Sequence, residues 1–176
     1  MIIDERLVQQ VITPRPAESH KGTYGRTVLI GGNEQYGGAI IMSALATVNS
    51  GAGLTTVITA PKNHAPLHAH LPEAMCVDWH DKKMILSVLE TADILLIGPG
   101  LGTTPESFDL LELILAHQIK KQWLIMDGSA LTLFAKEQLE LPYPKQTVFT
   151  PHQMEWQRLT SVSYTHLRAH ETEADL

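Results

Sequence analysis

Six short apolar runs alternate with longer segments of helical period, and this alternation constrains the fold more than any other feature of the sequence. The runs are rich in β-branched residues, and we predict strands at residues 27–30, 54–59, 74–77, 94–97, 123–126 and 147–149. Between them we predict helices, most clearly at residues 39–49, 84–90 and 106–119. Strands that alternate with helices build βαβ units around a mostly parallel sheet. The sequence therefore predicts an α/β fold.

Composition narrows the class of protein. The chain has 176 residues and is 44% hydrophobic, which suits a single globular domain with a real core. Its net charge of −6 and its lack of basic runs argue against partners such as nucleic acid or anionic membranes. Cys76 is the only cysteine, and the start "MIIDERLVQQ" lacks the pattern of a signal peptide. No apolar stretch reaches the roughly 20 residues of a membrane helix. We therefore expect a cytoplasmic protein.

Two glycine-rich segments follow predicted strands. Ligands of open parallel sheets bind beyond the carboxyl ends of the strands, so these segments are candidate binding loops. The first, "GGNEQYGGA", includes Gly38 and Ala39 at the start of a helix, and the second, "GPGLG", includes Gly100 and Gly102. Free backbone amides in either loop could hold an anion or a carbonyl oxygen. Alternatively, the glycines serve only tight turns. Neither segment is the G-x-G-x-x-G fingerprint of a Rossmann NAD site.

Two more candidates follow the last two predicted strands. Asp127 ends the fifth strand and is either a functional carboxylate or a helix cap. The run "TPHQ" predicts a capping box, with Thr150 as the N-cap, Pro151 at N1 and Gln153 at N3. His152 then lies in the first helical turn and points to the ligand edge. The positive end of the helix favours a neutral ring there.

Histidine spacing suggests metal sites that we do not predict. His152 and Glu155 are three residues apart, but no third ligand is evident. The spacing of "HAPLHAH" resembles a ligand set, yet Pro66 interrupts the helical face and no acid lies among the histidines, so we predict a solvated helix start. His166 and His170 have zincin spacing without the glutamate that a zincin uses as its base. We therefore predict no metal ligands in this chain.

Six motifs together resemble one family. They are "KGTYGRTVLIGG", "YGGA", "NSGAGLTTV", "ADILLIGPGLG", "DGSAL" and "TPHQMEWQRL", in this order between residues 21 and 159. This set resembles the ADP- or ATP-dependent NAD(P)H-hydrate dehydratases, which have a ribokinase-like, three-layer α/β/α fold. The resemblance implies dehydration of (S)-NADHX and (S)-NADPHX to NADH and NADPH, with Mg²⁺ and with release of AMP and phosphate from ADP; ATP is an alternative co-substrate.

The resemblance also implies site residues. Ala39, Gly102 and His152 match the positions that bind the hydrate in the family, and Gly38 and Gly100 lie beside them in the same loops. We include Asp127 among the substrate-binding candidates. The bacterial members generally use ADP and tend to form homo-oligomers, commonly tetramers, so we expect both of the parent protein.

The family's catalytic base has no match here. In the family this base is an aspartate in a later Gly-Asp segment, but none of the 12 glycines of this chain precedes an aspartate. We therefore predict no catalytic residue in the chain and expect the base in a missing C-terminal segment. A fold truncated at its C-terminus would expose a strand edge and an apolar face, so we expect poor solubility.

Two other functions are compatible with the same fold. The parent could be a small-molecule kinase of the same fold that phosphorylates an alcohol such as a vitamin precursor, or the chain could be a non-catalytic fragment. Residues 1–160 are predicted to form a partial dehydratase domain. Residues 161–176 contain "VSYTHLRAHET", which resembles one reading frame of a sequencing-library adapter, so we predict that this tail is not native.

Overall fold

The computed structural model describes residues 4–162, and over these residues it contains six strands and seven α-helices. The strands are β1 (Arg26–Ile30), β2 (Leu54–Thr59), β3 (Met75–Asp78), β4 (Ile94–Ile97), β5 (Trp123–Met126) and β6 (Thr147–Phe149). The helices are α1 (Glu5–Val11), α2 (Gly37–Asn49), α3 (His64–His70), α4 (Lys82–Thr91), α5 (Pro105–His117), α6 (Gly128–Lys136) and α7 (Gln153–Val162). The predicted strands and the three predicted helices are confirmed, with ends that shift by at most two residues.

All six strands are parallel and lie in the order β3-β2-β1-β4-β5-β6. This order fixes the layers, because crossovers between parallel strands are right-handed. The chain moves one way along the sheet from β1 to β3, which places α2 and α3 on one face. It then crosses to β4 and moves the other way, which places α4, α5 and α6 on the opposite face. The predicted three-layer α/β/α architecture follows.

The two faces bury separate cores. The larger core joins Val28, Ile30, Leu95, Ile97, Leu124 and Met126 of the strands to side chains of α4, α5 and α6, and Leu159 of α7 completes it. The smaller core joins Leu29 and Val57 to Ile40 and Ala44 of α2 and to Leu67 of α3. Neither core includes a residue of α1, which lies outside the main layers. The smaller core covers β1 and β2 but does not extend over β5 and β6.

Part of the predicted tail lies outside the described residues. Helix α7 continues to Val162, and residues 163–176, with His166 and His170, are not described. Within residues 4–162, no helix combines the length and the apolar character that crossing a bilayer would require.

Candidate functional site

Four candidate segments meet at one edge of the sheet. They follow β1, β4, β5 and β6, which are consecutive neighbours in the sheet, so their carboxyl ends lie side by side. The connection after β1 leads to α2 on one face, and the connection after β4 leads to α5 on the other. Such a reversal of direction opens a crevice at the carboxyl ends of the two strands, and ligands of doubly wound sheets bind in this crevice.

The two glycine loops, residues 31–36 and 98–102, are joined through their backbones. The amide of Gly32 donates to the carbonyl of Pro99 at 2.9 Å, and the amide of Asn33 donates to the carbonyl of Gly100 at 2.7 Å. In the first loop, the side-chain oxygen of Asn33 accepts from the amides of Gln35 and Tyr36 at 2.8 and 2.9 Å. These bonds consume backbone groups that could otherwise bind a ligand, and they hold the two loops as one unit.

Close packing explains why glycine occupies two positions in the second loop. Gly100 has φ +63°, and a Cβ there would overlap the carbonyl oxygen of Tyr36. Gly102 has φ +83°, and a Cβ there would lie 2.5 Å from Nδ2 of Asn33. The tight-turn interpretation therefore accounts for both glycines. It does not exclude binding, because the same packing brings bare backbone to the crevice.

The start of α2 differs from these crowded positions. A Cβ at Gly38 would meet no atom within 4 Å, so this glycine faces open space. Ala39 lies next to the second loop, since a Cβ at Gly100 would be 3.2 Å from its methyl carbon. Amides in the first turn of a helix have no intrahelical acceptor and favour negative charge. Gly38 and Ala39 therefore border open space beside an amide-rich helix end.

Asn63 lies shortly after the end of β2 and supports the first loop. The sequence alone did not predict this role. Its side chain is 6% exposed, and its Nδ2 donates to the carbonyl of Gly32 at 2.6 Å and to Oγ1 of Thr59 at 2.9 Å. The hydroxyl of Thr59 also donates to Gly32, at 2.8 Å. The signal in the sequence was an asparagine shortly after a strand that neighbours the first candidate strand.

Asp127 lies beside the second loop, where its backbone takes the space that a side chain on Gly98 would need. It occupies the N-cap position of α6, yet its side chain makes no capping hydrogen bond. Instead Oδ1 accepts from the hydroxyl of Thr150 at 2.8 Å. The helix-cap interpretation of this carboxylate is therefore wrong. The bond ties the end of β5 to the end of β6.

The predicted capping box after β6 is also wrong, because it is shifted by two residues. Helix α7 begins at Gln153, which makes His152 the cap. Nδ1 of His152 accepts from the amide of Met154 at 3.1 Å, and the Glu155 carboxylate accepts from the amide of His152 at 3.0 Å. The Thr150 side chain is instead directed toward the end of β5, where its hydroxyl donates to Asp127 and to the carbonyl of Met126.

These contacts determine which ring nitrogen of His152 carries the proton. Because Nδ1 accepts a backbone hydrogen bond, the proton of the neutral ring lies on Nε2, which is 3.2 Å from Oε1 of Glu155. The ring is nevertheless 63% exposed, whereas the side chain of Glu155 is 7% exposed. Both ring nitrogens are thus engaged, and the ring face is the part of His152 that a ligand can contact.

The other histidines do not add to this site. His64 begins α3, but its Nε2 is buried and has no hydrogen-bond partner among residues 4–162, so the predicted solvated helix start is wrong for this residue. His68 and His70 are exposed, as predicted. Among residues 4–162, no group of three or more His, Cys, Asp or Glu side chains is arranged to hold a metal ion.

Comparison with known proteins adds a family and a fold. A family model for NAD(P)H-hydrate dehydratase matches residues 27–175. An ADP-dependent (S)-NAD(P)H-hydrate dehydratase from Enterococcus faecalis is 56% identical over 158 residues, which are 90% of this chain and 54% of the relative. The chain therefore spans about half the length of this curated relative.

Two crystal structures are similar to the chain. A ribokinase-like superfamily protein from Enterococcus faecalis superposes with a TM-score of 0.88 at 54% identity, over 94% of this chain and 59% of that protein. An ADP/ATP-dependent NAD(P)H-hydrate dehydratase from Bacillus subtilis, co-crystallised with ATP/Mg²⁺, superposes with a TM-score of 0.70 at 30% identity, over 90% of this chain and 55% of that protein. The predicted ribokinase-like fold is confirmed.

Proposed function

Because the chain belongs to the NAD(P)H-hydrate dehydratase family, we propose that the complete protein dehydrates (S)-NADHX and (S)-NADPHX at the expense of ADP. One observation in the structure supports this proposal most. The two glycine loops, Asp127 and the segment that carries His152 follow four neighbouring strands at the edge where the sheet reverses direction. The Enterococcus faecalis relative, an ADP-dependent (S)-NAD(P)H-hydrate dehydratase, matches the chain across all four segments.

The chemistry explains why a nucleotide is consumed. Hydroxide is a poor leaving group, so the hydroxyl oxygen of the hydrate first takes the terminal phosphoryl group of ADP, which releases AMP. The lone pair of the ring nitrogen then assists departure of phosphate. Loss of a proton from the neighbouring ring carbon restores the double bond and gives NADH or NADPH. A phosphoryl-transfer fold is therefore suited to a net dehydration.

The residues of this chain would bind and orient in that reaction. The first-turn amides of α2 at Gly37 and Gly38 suit a phosphate or another anionic group of the substrate. Gly100 and Gly102 present backbone without side chains, which lets a flat ring approach closely. His152 would contact the ligand through its ring face, since both nitrogens are held. Ala39 would close the pocket beside Gly100.

The described residues fit Mg²⁺ only in part. Magnesium is commonly bound by one or two carboxylates together with the phosphates of a nucleotide. Asp127 offers a carboxylate at the crevice, with one oxygen already bonded to Thr150. Glu155 is committed to capping α7. Although the sequence predicted no metal ligand in this chain, Asp127 is the described residue that would hold the ion, which neutralises phosphate charge. The remaining ligands would come from the nucleotide and from outside this chain.

We infer that the 176-residue chain does not catalyse the reaction by itself. None of its glycines precedes an aspartate, so the Gly-Asp base expected from the family has no counterpart here. The relatives extend well beyond the matched region, since the match covers 54% of the first relative. A cytoplasmic location and a tetrameric parent protein stay predictions from the sequence.

The test is an assay of the protein in extended form, in which this chain is followed by the segment that its relatives have beyond the match. With (S)-NADHX, Mg²⁺ and ADP, we expect NADH and AMP in equal amounts, and no NADH without the nucleotide. The 176-residue chain is the matched control and should give none. Unchanged hydrate with the extended protein would refute the proposal. A stable phosphorylated alcohol without dehydration would instead indicate a kinase.

A further inference from the structure

Three hydrogen-bond donors from the connection after β2 converge on one carbonyl of the first glycine loop. The carbonyl oxygen of Gly32 accepts from the hydroxyl of Thr59 at 2.8 Å and from Nδ2 of Asn63 at 2.6 Å. The amide of Ala60 donates to the same oxygen at 3.2 Å. A carbonyl oxygen has two lone pairs, so three donors hold this peptide group more firmly than its hydrogen-bonding capacity requires. Because the loop is also bonded to the second glycine loop, it is held from both neighbouring strands.

The contacts of Asn63 determine which way its side-chain amide points. Nδ2 lies 2.6 and 3.3 Å from the carbonyl oxygens of Gly32 and Asn33, and 2.9 Å from Oγ1 of Thr59. Carbonyl oxygens only accept hydrogen bonds, so the amide nitrogen must face them and Oδ1 must face away. Oδ1 lies instead at the start of α2, where it would overlap a Cβ on Gly37. Asn63 therefore fills the space between the start of the loop and the first residue of α2.

Two candidate binding positions, Gly38 and Ala39, follow Gly37 directly along α2. Gly37 cannot move toward the connection after β2, because the side chain of Asn63 already occupies that space. The preceding loop cannot move away from this connection without breaking its bonds to Asn63 and to the second glycine loop. The distance between the start of α2 and the second glycine loop therefore depends on Asn63, although no hydrogen bond joins Asn63 to Gly38 or Ala39 among residues 4–162.

We propose that Asn63 is a positioning residue for the hydrate-binding site and that the Thr59 hydroxyl assists it. The inference rests on the proposed function, which assigns the hydrate to this site. The side chain of Asn63 is buried, so it acts on the substrate only through the Gly32 carbonyl and the backbone of Gly37. A misplacement of about 1 Å by a residue remote from the ligand is enough to impair a site of this kind.

Steady-state kinetics separate positioning from a purely structural contribution. A variant that only unfolds more readily contains fewer active molecules, so its kcat falls while the KM of the remaining molecules is unchanged. A variant that folds but holds the start of α2 in the wrong place binds the hydrate more weakly. Its KM for the hydrate rises while kcat stays close to the wild-type value, because binding is lost equally from the ground state and the transition state.

The test is to measure KM and kcat of the extended protein for (S)-NADHX at saturating ADP and Mg²⁺. Thr59→Val keeps the shape of the side chain but can neither donate to Gly32 nor accept from Asn63. We expect its KM for the hydrate to rise at least about fivefold, with kcat within about twofold of the wild type. Thr59→Ser keeps the hydroxyl and should restore the wild-type KM. Asn63→Asp places a carboxylate against two carbonyl oxygens and should raise KM further than Thr59→Val.

Asn49→Asp is the matched control, because Asn49 is exposed at the far end of α2 and its replacement should leave KM unchanged. Circular dichroism checks that each variant is folded at the assay temperature, and the two Thr59 variants decide the matter if Asn63→Asp does not fold. A lower kcat with unchanged KM in Thr59→Val would overturn the positioning role, and so would wild-type values of both constants. Absence of turnover by the unsubstituted extended protein would instead refute the proposed function, and with it the substrate assigned to this site.

Discussion

Glu155 binds His152 through both of its carboxylate oxygens. Oε2 accepts from the backbone amide of His152 at 3.0 Å, and Oε1 lies 3.2 Å from the ring nitrogen Nε2. A buried acid at the third position of α7 therefore fixes both the start of the helix and the orientation of the exposed ring. This pair therefore restricts the rotation of the ring.

Replacing Glu155 should release both the backbone amide and the ring of His152. Glu155→Ala removes the reciprocal half of the cap, and we expect a loss of about 0.5–2 kcal/mol in the free energy of unfolding. Urea denaturation followed by circular dichroism measures this loss. Glu112→Ala, at an exposed position inside α5, is the control and should change stability by less than about 0.5 kcal/mol. Equal midpoints for the two variants would show that the cap does not stabilise α7.

The two glycines at the crevice should respond oppositely to alanine. Gly100→Ala forces a side chain into a position with φ +63° and against the Tyr36 carbonyl, so we expect a loss of more than about 2 kcal/mol. Gly38→Ala meets no atom within 4 Å and replaces glycine in a helix, so its stability should stay equal or rise by up to about 1 kcal/mol. Thermal melting distinguishes the two. A destabilised Gly38→Ala variant would contradict the open space described here.

Asn63 should contribute to the stability of the fold although it lies outside both glycine loops. Asn63→Ala leaves the Gly32 carbonyl and the Thr59 hydroxyl with fewer partners in a buried setting. We expect a loss of about 1–3 kcal/mol, together with faster hydrogen exchange in the first glycine loop. Asn49→Ala at the exposed end of α2 is the control. Unchanged exchange in residues 31–36 would mean that Asn63 does not support the loop.

A histidine away from the site should make stability depend on pH. His80 lies 2.7 Å from a carboxylate oxygen of Asp78 and 2.7 Å from one of Glu106, so it links the end of β3 to the start of α5. The hydrogen bond to Asp78 and the two negative charges raise the pKa of His80. Burial opposes the shift of Asp78, but the hydrogen bonds from His80 prevail and lower the pKa of this acid.

The directions of the two pKa shifts define the pH range in which His80 and Asp78 stabilise the fold. A raised histidine pKa stabilises the fold below the unfolded value of about 6.5, and this contribution is lost as pH rises through the folded pKa. A lowered aspartate pKa stabilises above about 3.9 and is lost as pH falls through the folded value. The melting temperatures of the wild type and His80→Gln should therefore differ most near about pH 5 and converge near about pH 9. The difference should be small, because all three groups are exposed. His70→Gln is the control, and a difference that grows with pH would contradict the assignment.

The strands were predictable because each is a short run rich in apolar and β-branched residues, although β4, β5 and β6 each carry an exposed residue on one face. The cap of α7 was not predictable from local pattern, since Thr150 and Pro151 are a good helix start in isolation. The carboxylate of Asp127 and the carbonyl of Met126 draw the Thr150 hydroxyl away, and both lie at the end of β5, more than 20 residues earlier in the chain. Asn63 was missed for a similar reason: only the sheet brings it under Gly32.

The glycines were likewise only partly predictable from the sequence. The loop pattern predicted Gly100 and Gly102 as binding candidates, with tight turns as the alternative, and close packing in the structure demands glycine at both positions. Gly38 looked the same in sequence but has free space around it. Only the three-dimensional packing separates a glycine required by its neighbours from one that leaves room for a ligand.

We propose that the crevice beside α2 binds the hydrated nicotinamide cofactor. The most direct measurement is a titration of the ¹⁵N-labelled chain with (S)-NADPHX, followed by amide NMR. We expect shifts at Gly38, Ala39, Gly102 and His152, and no shift at Gly51, which lies before β2 at the opposite edge of the sheet. Shifts confined to other surfaces, or no shifts at saturating hydrate, would contradict the account.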